Sequence, residues 1–127
     1  MARDRRRLLP RRGSVPLALH GLAEYGIGVL LIFSSPLFGF DGEPRVAAIL
    51  LGAAVIVLAA LSDMPTALMR RIPIGSHIVI DYELGIVLIA SPFIFGFSDD
   101  EGALAFFIVM GLGYLILTAV TRFETTE

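Results

Sequence analysis

The chain has no cysteine and no lysine. Without cysteine there can be no disulfide, no thiolate metal ligand and no thiol nucleophile. Without lysine, every basic side chain other than the two histidines is an arginine. The residues that remain do not resemble a nucleophile held beside a base and an orienting group, a phosphate-cradling loop or a metal cluster. No enzymatic reaction and no metal site are expected from the sequence.

Apolar residues are abundant. Hydrophobic residues make up 56% of the 127 positions, above the ordinary globular range, and they fall in long runs. Four segments emerge, over residues 17–38, 46–61, 78–95 and 103–121. A helix that crosses ~30 Å of hydrocarbon needs about 20 residues. Inside lipid the backbone has no water partner, so helix is the local solution for each span. The expected fold is all-α, a polytopic membrane protein with four transmembrane helices.

Two windows carry the organisation. His20 to Phe40 reads HGLAEYGIGVLLIFSSPLFGF, and His77 to Phe97 reads HIVIDYELGIVLIASPFIFGF. Aligned without a gap they share His, Tyr, Gly, Leu, Ile, Ser, Phe, Gly and Phe, and Glu24 faces Asp81. Such similarity indicates an internal duplication. The chain then divides into a basic arm (1–16) and one four-helix transmembrane domain (17–127), built from two tandem helical hairpins (17–63 and 74–123).

Charge orients the spans. Arg3, Arg5, Arg6, Arg7, Arg11 and Arg12 crowd the amino-terminal arm, Arg70 and Arg71 the middle connection, and Arg122 follows the last span; Arg45 alone lies on the other side. The positive-inside rule places both termini and the middle connection in the cytoplasm, so the two hairpins run parallel. The arginine-rich arm is read as a topology signal on an anionic membrane face rather than as a nucleic-acid site or a cleaved export signal. Met64 to Arg71 is expected to form a short surface helix with a basic end.

Small residues should let helices approach closely: Gly26 and Gly28 in the first span, Gly52, Ala53 and Ala54 in the second, Gly111 and Gly113 in the fourth. Ser35-Pro36 and Ser91-Pro92 should kink or end their helices, with the serine hydroxyl taking up a freed backbone group. Gly39 and Gly96 then permit a turn, and Phe38, Phe40, Phe95 and Phe97 lie at interface depth.

His20 and Glu24 are four residues apart, as are His77 and Asp81, so each pair shares a helix face. Three readings follow. The acids act on the dipole of a first helical turn, with the histidines at headgroup depth beside Arg12, Arg70 or Arg71. Alternatively, His20 and His77 ligate a haem or chlorin in an electron-transfer or pigment protein. Alternatively, Glu24 and Asp81 serve a small transporter or channel. Glu83 and Asp63 are expected at the interface, and Tyr25, Tyr82 and Tyr114 as belt or packing residues.

Ser-Pro-aromatic-x-x-Gly-Phe, present in both windows, resembles the SPW-repeat family of small bacterial integral membrane proteins. Glu24-Tyr25 with Gly28, and Asp81-Tyr82 with Gly85, resemble that family's acidic-aromatic pair and downstream glycine. Leu37 and Phe93 stand where the family has tryptophan, of which this chain has none. The resemblance implies a bacterial inner-membrane protein and no particular activity. The expected role is structural, an accessory subunit packing against other membrane proteins, with the bilayer as constant partner, self-association as a further option and no nucleic acid.

Overall fold

A computed structural model describes residues 13–123. The basic arm's arginine cluster lies outside the described residues. Four long helices dominate: α1 (Leu17–Phe38), α2 (Glu43–Leu61), α3 (Ile74–Ile94) and α4 (Glu101–Val120). Their 19 to 22 residues amount to ~29–33 Å at 1.5 Å per residue. All four are long and apolar enough to cross a membrane, and the chain is a multi-pass membrane protein. Strand β1 (Val15–Pro16) pairs in parallel with β2 (Thr121–Arg122), which brings the start of α1 to the end of α4.

Helix starts differ from the sequence expectation in instructive ways. Helix α2 begins at Glu43 because Pro44 suits a first turn, where its missing N–H costs nothing. Helix α4 begins at Glu101, after the Asp100 carboxylate accepts the Ala103 N–H at 3.1 Å. Helix α3 begins at Ile74, just after Pro73, so His77 lies inside the helix rather than ahead of it.

The Ser-Pro elements do end helices, two residues beyond each proline. Gly39 and Gly96 both adopt φ +75°, a left-handed conformation that L side chains resist. At the first, the Gly39 N–H donates to the Ser35 carbonyl at 2.9 Å; at the second, the Phe97 N–H reaches back to the Pro92 carbonyl at 2.9 Å. Pro36 lies three residues before Gly39 and Pro92 four before Gly96, and the two ends take different caps. The serine hydroxyls do not serve the carbonyls of Ile32 and Leu88, to which Pro36 and Pro92 cannot donate. Ser35 donates to the Phe40 carbonyl and Ser91 to that of Val87. Phe40 and Phe97 turn inward and are buried, while Phe38 and Phe95 face outward.

Within each hairpin the helices touch through glycine. A Cβ at Gly52 would lie 2.6 Å from the Gly28 carbonyl oxygen, and one at Gly111 would lie 2.8 Å from that of Gly85. Backbone therefore meets backbone in α1/α2 and again in α3/α4. Gly26 and Gly113, expected to share this role, face open space.

The two hairpins meet around one core that includes Leu31, Val55, Leu88, Phe107 and Tyr114. One seam between hairpins, α1 against α4, is filled by aromatic rings: Phe38 and Phe106 centroids are 5.0 Å apart, and Phe40 and Phe107 6.3 Å. The opposite seam, α2 against α3, holds an open groove of ≈ 1160 Å³.

The expected surface helix after Met64 is replaced by turns. The N–H groups of Leu68 and Met69 both donate to the Ala60 carbonyl, and those of Arg71 and Ile72 to the Leu61 carbonyl, at 2.7–2.9 Å. The end of α2 leaves its last carbonyls without helical donors, and this connection supplies them. Met64 is buried beneath the fold-back.

Candidate functional site

Helix α1 buries Leu17, His20, Gly21, Glu24, Gly28, Leu31, Ser34 and Ser35, a stripe at helical spacing. Helix α3 buries His77, Asp81, Gly85, Leu88, Ser91 and Pro92. Polar residues thus occupy the inward faces, whereas Leu22, Val29, Phe33 and Ile86 face out. Lipid is as apolar as leucine, so outward leucines lose nothing, and the ionisable groups gain partners by facing one another.

The two histidine-acid pairs converge. His20 Nε2 lies 2.6 Å from Glu24 Oε1 and 3.0 Å from Asp81 Oδ2. His77 Nε2 lies 2.9 Å from the same Glu24 oxygen and 3.0 Å from the same Asp81 oxygen. All four side chains are fully enclosed. Tyr114 of α4 donates its hydroxyl to Asp81 Oδ1 at 2.7 Å and also lies 3.2 Å from Glu24 Oε1.

A second set of hydroxyls fixes the imidazoles. His20 Nδ1 is 2.7 Å from Thr121 Oγ1, and His77 Nδ1 is 2.6 Å from Ser62 Oγ. Each hydroxyl has one proton, and each donates it to a backbone carbonyl: Thr121 to Leu117 and Ser62 to Leu58, both at 2.5 Å. The hydroxyl oxygens therefore accept from Nδ1–H, an assignment made from the hydrogen-bond network. In the neutral ring this leaves each Nε2 with a lone pair directed at carboxylate oxygens. Side chains from α1, α3 and α4 and from the ends of α2 and α4 all contribute. Phe123 closes the cluster, its ring 5.1 Å from His20 and 6.5 Å from His77.

This geometry replaces the headgroup reading. Glu24 and Asp81 lie beyond the first turn of their helices, and among the described residues the histidines pair with acids of both hairpins rather than with Arg70 or Arg71; Arg12 lies outside the described residues. Arg70 lies 4.0 Å from Asp63 instead, both at the surface, where such a pair contributes little. Tyr82 is exposed, as is Glu83, and Tyr25 donates to the Thr66 carbonyl at 2.9 Å. A haem or chlorin between His20 and His77 does not fit: both Nε2 atoms share the same two carboxylate oxygens, and the rings meet edge to face at 5.8 Å. That packing has no slot for a macrocycle.

Four contributors escaped the sequence reading: Tyr114 in its central role, and Ser62, Thr121 and Phe123 altogether. The available signal was faint. Gly111, Tyr114 and Thr118 share one face of an otherwise apolar helix.

The family model of the SPW repeat domain matches residues 18–121, a span that holds the four helices but for Leu17 and the entire cluster except Phe123. No curated protein and no solved structure matches the chain.

Proposed function

The chain belongs to the SPW repeat domain family, and we propose that it works as a non-enzymatic accessory subunit that packs against a partner protein in the bacterial inner membrane. The groove between α2 and α3 carries this reading. Its apolar wall comes from Leu50, Leu51, Val87 and Ile94, and its mouth carries Glu43 and Arg45. On the other side of the bundle four phenylalanine rings lie along the corresponding seam, whereas here the end of the seam next to Glu43 and Gly96 is left open. A transmembrane helix of another protein, with a polar residue at its end to meet Glu43 or Arg45, fits such a flank.

The buried cluster supports the same role by locking the hairpins, which keeps the flank in shape. Its ionisable groups are engaged with one another and enclosed, which favours a structural role over transport through Glu24 and Asp81. The positive-inside rule puts the cluster end of the bundle, with both termini, on the cytoplasmic side.

A photo-crosslinking residue at Leu50 or Ile94, in native membranes, tests the reading. A discrete adduct with one other membrane protein is expected, and none from the outward position Leu22. Adducts with lipid alone, or with a second copy of this chain, would overturn it.

A further inference from the structure

We propose that His20, Glu24, His77 and Asp81 form a binding site for one divalent first-row transition cation, with Zn²⁺ the best match to its four donors. Each residue offers one ligand atom, and these atoms lie within 4.8 Å of one another, fully buried. The donor set, two imidazole nitrogens and two carboxylate oxygens, suits ions of borderline character better than Ca²⁺ or Mg²⁺, which take oxygen ligands.

Three observations point to a cation rather than to a simple polar knot. First, the lone pairs converge. With Nδ1–H committed to Thr121 and Ser62, a neutral imidazole presents its Nε2 lone pair to Glu24 Oε1 and Asp81 Oδ2, which are acceptors too. Four acceptors directed at one point call for positive charge at its centre. A dipositive ion balances the two carboxylates, leaving a neutral site where uncompensated charge is costly.

Second, Glu24 Oε2 is buried and has no hydrogen-bond partner. A carboxylate that holds one oxygen in the cluster and keeps the other unpaired beside it can shift to share or chelate an ion. Third, the outer partners are those that metal-bound histidines use. A ligating imidazole donates its second N–H to an oxygen that fixes the ring, and ligating carboxylates accept hydrogen bonds of their own. Thr121, Ser62 and Tyr114 fill these places at 2.6–2.7 Å.

The site is also nearly the right size. Its imidazole-to-carboxylate edges are 2.6–3.0 Å. A tetrahedron with ~2.1 Å bonds has edges of ~3.4 Å, so these edges must open by roughly 0.4 to 0.8 Å. Side-chain torsions can supply that movement. The inference stands apart from the accessory-subunit reading: a subunit can pack against a partner with or without an ion in its core.

The test uses the full chain purified in nanodiscs, stripped with chelator and titrated with Co²⁺, then Zn²⁺, while ¹⁵N-histidine resonances are followed. One Co²⁺ per chain, visible bands of a tetrahedral centre, hyperfine-shifted signals from both imidazoles and displacement by Zn²⁺ are expected. His77→Gln and Asp81→Asn should abolish the bands, and Ser62→Ala should weaken binding about 10–100-fold. The wild-type histidine signals decide the matter even where a variant fails to fold. No Co²⁺ uptake, uptake with both histidines unshifted, or uptake that His77→Gln leaves intact would overturn the proposal, the last two as adventitious binding to exposed carboxylates. A cluster whose Nε2 atoms carry protons as plain ion pairs with Glu24 and Asp81 gives the first of these results.

Discussion

His77 on α3 places its Nε2 2.9 Å from Oε1 of Glu24 on α1, closer than its 3.0 Å approach to Asp81 on its own helix. The buried polar contacts therefore run between hairpins as well as within them, His77 to Glu24 and His20 to Asp81, in a region where neither group has water as an alternative. Removing one partner from such a buried set leaves the others uncompensated, at a cost of about 3–5 kcal/mol. Asp81→Ala and Glu24→Ala should each lower stability by that order in reversible unfolding from mixed micelles. A change under about 0.5 kcal/mol would show that the cluster does not hold the hairpins together.

Tyr114→Phe is a gentler probe of the same cluster. It removes a hydroxyl 2.7 Å from Asp81 while keeping the ring in the core. A hydrogen bond to a charged group contributes about 1.5–3 kcal/mol, and a loss of that size is expected in the same unfolding measurement. Phenylalanine at no cost would place the tyrosine among ordinary packing residues.

The glycines should divide sharply by position. Gly52→Ala and Gly111→Ala push a methyl into the facing backbone and should cost about 1–3 kcal/mol. Gly26→Ala and Gly113→Ala meet open space and should be neutral or stabilising by up to about 1 kcal/mol. The unfolding midpoints of the four variants check this, and equal effects would contradict the packing described.

Cysteine labelling checks the topology, on a background with no native cysteine. Cysteines at Arg70 and Asp99 should react from opposite sides of the membrane, with Arg70 on the cytoplasmic one. Labelling of both from one side would break the hairpin arrangement.

Much of this was legible before the structure. Four apolar runs of spanning length and the repeated Ser-Pro and His-x-x-x-acid patterns pointed to the helices, to where two of them end, and to the four ionisable residues that the structure brings together. The depth of the site was hidden by a boundary: Pro73 starts α3 four residues earlier than the apolar run suggests, which moves His77 and Asp81 into the bundle. That the two pairs share the same oxygens depends on how α1 and α3 face each other, and no local pattern encodes it. Ser62 and Thr121 were invisible because single hydroxyl residues at helix ends ordinarily serve as caps. Tyr114 was hidden because one tyrosine in an apolar span fits packing equally well.

The contact between hairpins can be measured without unfolding the protein. In ¹⁵N-histidine spectra of the chain in nanodiscs, Asp81→Asn should shift the imidazole signals of both His77, on the same helix, and His20, on the other hairpin, since both Nε2 atoms lie 3.0 Å from Asp81 Oδ2. A shift confined to His77, with His20 unmoved, would contradict the account.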